Sequence, residues 1–376
     1  MAASQLGDSL LTFSIDLYKQ LASQSGSSEN IVYSPFSIAE ALCMALAGSR
    51  NNTSKQLADA LHVNGEDVHK SFSNFRSKLA GLAPEVRLHV ANRMFSEQTF
   101  PVLDSYLTLV RNIYDAIIEP VDFQNNGETV RQHINAWVEQ ATESKIKDLL
   151  PHGSVDGSTS LVLVNVIYFK SLWKFQFDPE QTERSVFHLD KRNKTEVDMM
   201  YTNDDYKMTR SDDLGVSTLE VPYQGGMASM VILLPDDIEG LPQLETRLTV
   251  SKLSSLLKSL ALEEDVDFYL PKFKLEQTIS LKQTLRAMGI EDFFTADADL
   301  TGICENANLS ASDVFHKTFV EVDEGGTEAA SASAVEIVCE SSAEEQVVFH
   351  VNRPFMFLIR SCDPQAVLFM GSIRRI

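Results

Sequence analysis

Apolar residues recur at helical spacing over residues 8–22, where Leu10, Phe13, Leu17 and Leu21 share one face. A short strand-like run, Ile31-Val32-Tyr33, precedes Pro35, and Ser34 or Ser37 can cap the helix that runs through Ala39–Ala47 to Gly48. That helix is apolar on most sides, which predicts full burial. Further helices are predicted at about 54–62, 67–81, 102–112 and 127–142, the last with Trp137 and Val138 on its apolar side, and a strand near 86–95. Residues 160–170 read as a strand buried on both faces, with Asn165 in its centre. Segments 195–209, 215–222 and 227–235 form an antiparallel meander with turns at 223–226 and at Pro235-Asp236. Short helices fill 240–260, a strand at 265–275 contains Pro271, and a helix covers 279–288. Strands at 316–324, 346–351, 354–361 and 366–374 close the chain. Helices lead and strands interleave later without a βαβ rhythm, so the fold class is α+β with large mixed or antiparallel sheets.

Residues 324–340, EGGTEAASASAVEIVCE, have strand patterning where a loop belongs. From Thr327, one alternating face is Thr327, Ala329, Ser331, Ser333, Val335, Ile337 and Cys339, and carries no charge. The other face holds every carboxylate: Glu328, Glu336 and Glu340, with Ala330 among its small members. Gly, Ala and Ser hold a sheet poorly, so the segment can stay outside a sheet until conditions change and then slot in. An Ala/Ser-rich linker and a short helix capped by Thr327 are the alternatives.

Composition narrows the classes. The 376 residues are 44% hydrophobic, enough for a full globular core, and no run approaches the length of a membrane span. A net charge of −21 argues against nucleic acid, heparin or an anionic membrane as partner. Cys43, Cys304, Cys339 and Cys362 form no CxxC pair and no metal spacing, so neither a metal nor a cofactor is expected. Sequons at Asn51, Asn52, Asn193 and Asn308 favour a secreted glycoprotein, whereas unpaired thiols favour a reducing compartment. The opening residues lack a basic start and a clean apolar run, so they read as helix and not as a signal peptide. Secretion after loss of a signal peptide is the expectation, with a cytoplasmic location as the alternative.

No enzyme chemistry emerges. The sequence has no GxSxG, no HExxH and no phosphate-binding loop, and none of the eight histidines lies in a motif with a paired acid. His316 falls on a predicted buried strand, where a lone histidine is a hydrogen-bonded structural residue. Burying the Asn165 amide without partners would cost ~1–3 kcal/mol, so partners must exist, and Ser34, Ser37 and His316 are the candidates.

Ordered motifs over nearly the whole chain carry a resemblance. They are SPFSI (34–38), HINAWVEQATESKIKDLLP (133–151), LVLVNVIYFKSLWKFQF (161–177), LPKFKLE (270–276), HKTFVEVDEGGTEAASASA (316–334), NRPFMFLIR (352–360) and LFMGSI (368–373). With these the chain resembles a serpin, and is similar in particular to the ovalbumin-like intracellular and the tick salivary branches. The resemblance implies one domain over residues 1–376 with three β-sheets, about nine helices and an exposed reactive loop at about 325–345. It also implies a monomer that is an inhibitor and not an enzyme. A protease cleaves the loop and is trapped as an acyl-enzyme when the loop inserts into the main sheet.

Family positions carry over residue by residue. The hinge is Glu324, Gly325, Gly326 and Thr327, continuing into Glu328, Ala329 and Ala330. The cleaved bond falls between Glu340 and Ser341. Ser34, Ser37, Asn165 and His316 match the shutter beneath the sheet, and Trp173, Thr182, Lys272 and Glu324 match the breach at its top. Gly325 departs from the charged residue common there, and a second glycine loosens the hinge. An acid-preferring serine protease, granzyme-B-like or glutamyl-specific, is the expected target. The alternatives are an elastase- or chymotrypsin-like enzyme reading Val338 or Cys339, a cysteine protease, or a non-inhibitory carrier or chaperone on the same fold. The small residues over 329–334 favour inhibition, because they fit a closing sheet.

Overall fold

A computed structural model of the chain describes residues 2–26, 28–63, 68–81, 83, 86–305, 309–327 and 346–376. The amino-terminal part is mostly helical: α1 (Ala2–Gln24), β1 (Ile31–Tyr33), α2 (Pro35–Gly48), α3 (Asn51–Ala60), α4 (Val68–Ala80), β2 (Val86–Glu97) and α5 (Asp104–Tyr114). The middle comprises β3 (Ile117–Val121), α6 (Phe123–Ala141), β4 (Leu161–Leu172), β5 (Glu183–His188), β6 (Lys194–Ser211), β7 (Val216–Pro222) and β8 (Ala228–Pro235). After α7 (Leu241–Arg247) and α8 (Val250–Ser259) come β9 (Ala261–Pro271), β10 (Phe273–Ser280), α9 (Lys282–Ala287), β11 (Asp313–Val322) and β12 (Gly326–Thr327). The chain ends with β13 (Val347–His350), β14 (Phe355–Ser361) and β15 (Ala366–Ile373).

Among the described residues the strands form two hydrogen-bonded sheets. One is six-stranded, ordered β10-β11-β12-β4-β2-β3, and the other is nine-stranded, ordered β1-β15-β14-β8-β7-β6-β9-β13 with β5 attached to β6. The long β6 pairs with β5, β9 and β7 in turn and bends at a bulge between Asp204 and Tyr206. It therefore joins two limbs into one continuous sheet, which is why the three expected sheets appear as two bonded units.

Several boundaries differ from the sequence expectation. The strand expected over 265–275 is two strands, because the chain breaks at Lys272 and β10 crosses into the other sheet. The helix expected over 279–288 begins only at Lys282, after β10 has run to Ser280. Edge strands β3 (IIEPV) and β5 (ERSVFH) escape apolar patterning, since one contains a proline and the other is largely exposed. At the other end of the chain, Ser34 is the residue that caps α2, its Oγ accepting from Ser37 N at 3.2 Å.

The burial of β4 explains its apolar run. Leu161, Leu163, Ile167 and Phe169 face the main core, while Val162, Val164, Val166 and Tyr168 face a second core beneath α6. Both faces are thus dry, and Asn165 falls on the main-core side. Strand β11 alternates likewise, with Val314 and Val320 toward the main core and Phe315 and Phe319 toward the second. No helix among the described residues is long and apolar enough to cross a membrane.

Candidate functional site at the parted end of the six-stranded sheet

Strands β4 and β11 pair directly and in parallel from Asp313↔Val162 to Phe319↔Tyr168. Above that point they part, and β12 lies between them, antiparallel to both: Val322↔Thr327 on one side, Thr327↔Ser171 and Gly326↔Leu172 on the other. Thr327 is completely buried there. A Cβ at Gly326 would lie 2.2 Å from Ser171 O, so only glycine allows the chain to approach β4 this closely.

A cluster at the parted end fixes the turn before β12. Backbone N–H groups of Trp173 and Phe177 donate to Gly325 O and Glu324 O, both at 2.9 Å. The Trp173 indole Nε1 donates to Asp323 O at 3.0 Å, and Asp323 Oδ1 accepts from the N–H groups of Gly325 and Gly326. Lys272 Nζ donates to both oxygens of Glu324 at 3.0 and 2.8 Å, and Thr182 Oγ1 donates to Oε1 at 2.9 Å. Burial alone would raise the Glu324 carboxyl. The bonds from Lys272 and Thr182, with the charge of Lys272, outweigh burial and hold it below the usual carboxylate range. The four residues expected at the breach therefore meet in one place.

Beneath the paired part of the sheet lies a second polar cluster in the main core. Ser34 N donates to His316 Nε2 at 3.0 Å, so Nε2 carries no proton and Nδ1–H donates to Asn165 Oδ1. Ser37 Oγ donates to the same oxygen at 2.6 Å, and Asn165 Nδ2 donates to Ser37 O and Asn92 Oδ1. Burial drives the His316 imidazole down to about 3, which keeps it neutral. All four expected shutter residues are fully buried and mutually bonded.

The network continues into residues that sequence reasoning missed. Asn92 Nδ2 donates to Glu40 Oε2 at 2.7 Å, and Arg76 Nε lies 2.9 Å from Glu40 Oε1, off the line of its N–H. Burial raises the Glu40 carboxyl to about 7 despite the opposing charge of Arg76 and the bond from Asn92. The signal was present: Glu40 is the only charged residue in the apolar helix PFSIAEALCMALAG. Tyr223, whose OH lies 2.7 Å from Thr327 Oγ1, gave no comparable signal, since it sits at a turn more than a hundred residues away in sequence.

Asn51, Asn52 and Asn193 are exposed, and their amides donate to Asp299, Asp292 and Asp190 respectively. Glu328, Ala329, Ala330, the expected bond Glu340-Ser341 and the sequon at Asn308 lie outside the described residues.

A fold that seats the start of a strand-patterned loop in its six-stranded sheet is the one shared by the proteins this chain matches. A family model described as Serpin (serine protease inhibitor) matches residues 8–376, and the chain belongs to the serpin family. It is 54% identical over 375 residues to Iris of Ixodes ricinus, covering 99% of this chain and 100% of that one. It is 40% identical over 375 residues to the human leukocyte elastase inhibitor, covering 98% of each chain. Among solved structures, uncleaved ovalbumin superposes with a TM-score of 0.90 at 31% identity, covering 99% of this chain and 100% of that one.

Proposed function

We propose that this chain is an inhibitory serpin that traps a serine protease through its loop. The nucleophilic hydroxyl attacks the carbonyl of Glu340, the peptide bond to Ser341 breaks, and the Ser341 amine leaves. The protease remains as an ester on Glu340. Residues beyond Thr327 then enter the sheet as a strand between β4 and β11, carrying the ester away from the loop's starting position before water hydrolyses it.

One observation carries this reading: Thr327 already occupies the gap between β4 and β11, with its side chain toward the main core. Continued in the same register, Ala329, Ser331, Ser333, Val335, Ile337 and Cys339 would take that core face. It is the face without a charge, and its first members are small. Glu328, Glu336 and Glu340 would point the other way.

An acidic residue before the cut favours proteases with a basic specificity pocket. A second reading has support of its own: one 40%-identical relative is named an elastase inhibitor, which favours a cut after Val338 or Cys339. Incubation with granzyme B, a glutamyl endopeptidase, elastase, chymotrypsin and trypsin tests both. An SDS-stable complex is expected, and the mass of the released carboxyl-terminal peptide reads the bond. A peptide beginning at Ser341 supports the acid-directed reading. One beginning at Cys339 or Glu340 supports the elastase-like reading, and absence of any complex removes the inhibitory assignment.

A further inference from the structure

Thr327 is seated in β12 with its hydroxyl on the main-core side. That hydroxyl lies 2.7 Å from the Tyr223 OH, in a region where both residues are fully buried. Among the described residues each hydroxyl has the other as its hydrogen-bond partner. The Tyr223 ring is itself held on two sides. It stacks on Trp173 with centroids 4.5 Å apart and planes 9° from parallel, and it packs at 5.0 Å against Phe169 of β4. The backbone of Tyr223 bridges to Trp173, the residue that clamps the turn at Asp323 and Gly325.

We infer that Tyr223 is a positioning residue for trapping: its hydroxyl keeps Thr327 docked between β4 and β11, so strand insertion starts from a seated residue. The inference rests on the inhibitory reading above. An acyl-enzyme has two fates, hydrolysis or capture, and capture wins only if insertion is faster. A docked first residue has already met part of the entropic cost of bringing the strand to its place in the sheet. Undocking leaves the inserted register to be found anew while water attacks the ester. The pair is polar in a dry site, so losing one hydroxyl strands the other, whereas losing both strands nothing.

The test uses Tyr223→Phe, Thr327→Val, their combination and Thr327→Ser, each mixed with a protease that the unmodified chain traps. The readout is the ratio of loop-cleaved chain to SDS-stable complex. Tyr223→Phe keeps the ring stack and Thr327→Val keeps the branched shape, so one still reports if the other fails to fold. Each of these should raise the ratio about fivefold or more, because one buried hydroxyl is left without a partner. Thr327→Ser keeps the hydroxyl and should stay within about twofold of the unmodified chain, and so should the double variant, where both partners are apolar. A melting-temperature cycle over the same variants reads the coupling of the pair without a protease. An unmoved ratio, or a double variant as impaired as the two singles combined, overturns the role of Tyr223 even if the melting cycle shows coupling. If the unmodified chain traps nothing, the inhibitory reading itself falls and takes this role with it.

Discussion

Asn165 on β4 and His316 on β11 stand opposite one another in the parallel register and share a hydrogen bond across the line along which, on the proposed reading, the sheet opens. The bond joins the two strands below the seat of Thr327, so any strand that passes between them has to break it. His316→Ala removes one donor to Asn165 and strips Ser34 N–H of its acceptor, in a site with no exposure. The orphaned groups and the cavity together should cost about 2–4 kcal/mol. A lower melting temperature, with more latent or polymeric material on native gels, is the expected outcome. A variant that melts like the unmodified chain would mean that the pair does not hold the sheet shut.

The same cluster sets a pH dependence with two opposing parts. His316 falls from its ordinary 6.5 to about 3, so its contribution is present above pH 6.5 and is lost as pH falls toward 3. Glu40 rises from 4.5 to about 7, so its contribution is present below pH 4.5 and is lost as pH rises toward 7. Between about 4.5 and 6.5 the two slopes oppose and stability should be nearly flat. Glu40→Gln removes one of them. Relative to the unmodified chain it should gain stability at pH 8, of order 3 kcal/mol at most, and gain little at pH 4. Urea melts at the two pH values check the sign, and a larger gain at pH 4 would refute the assignment.

Much of this site was legible in sequence because burial leaves a mark on strands. The run 161–169 is apolar at every position but one, and the exception, Asn165, had to be a bonded amide. His316 stood out on its own buried strand, while Ser34 and Ser37 entered only as candidate partners for Asn165 and through the family resemblance. What stayed hidden were partners whose own segments look ordinary. Asn92 lies in a strand that also carries Arg87, His89 and Arg93, so nothing in it singles out an amide that bonds to Asn165. Tyr223 follows β7 at a turn, and only the close approach of that turn to β12 gives its hydroxyl a role. One boundary error has a local cause: at Lys272, directly after Pro271, the chain changes sheets, and the buried positions shift from Phe268 and Leu270 to Phe273 and Leu275.

The register of the hinge can be tested at Thr327. An arginine there would place a guanidinium at a fully buried position whose hydrogen-bonding partners among the described residues are the Tyr223 hydroxyl and strand backbone, not a carboxylate. Burying it unpaired costs several kcal/mol, so the strand should fail to seat. Thr327→Arg should be cleaved at the same bond as the unmodified chain but leave little stable complex on a gel. Normal trapping by this variant would show that Thr327 does not enter the core face.

Specificity should follow residue 340. Glu340→Arg replaces an acid by a base at the position a protease pocket would read. Inhibition of trypsin should rise at least about tenfold, since a desolvated charge pair of this kind contributes 1.5 kcal/mol or more, and reaction with an acid-preferring enzyme should disappear. Association rate constants for the two enzymes measure both effects. If trypsin inhibition does not increase, the bond does not follow residue 340, and Val338 and Cys339 become the residues to change.

Cleavage near Glu340 should raise the melting temperature on the order of tens of degrees, because on the proposed reading the freed segment can enter the sheet between β4 and β11. Over Asp313–Phe319 and Val162–Tyr168 the strands β11 and β4 pair in parallel, the slightly weaker of the two arrangements per residue. A strand continuing from β12 would be antiparallel to both, as Thr327 already is. Insertion therefore replaces one parallel ladder by two antiparallel ones and buries Val335 and Ile337 on the core face, each worth ~1.5–3 kcal/mol if burial is complete. In the intact chain the segment is tied at both ends, to β12 at Thr327 and to β13 at Val347, where β13 pairs with β9 of the other sheet. Cutting the loop frees its first part from β13 while leaving it continuous with β12, so the strand can extend from the residue already seated. On the proposed reading the rearrangement also has to pass the Asn165–His316 bond, so the intact state is expected to be a kinetically held one. Thermal melts of intact and loop-cleaved chain, followed by far-ultraviolet circular dichroism, decide the matter. Equal midpoints would mean that the cleaved loop stays out of the sheet, and a fold of this kind would then hold its loop as a fixed surface feature instead of a trap.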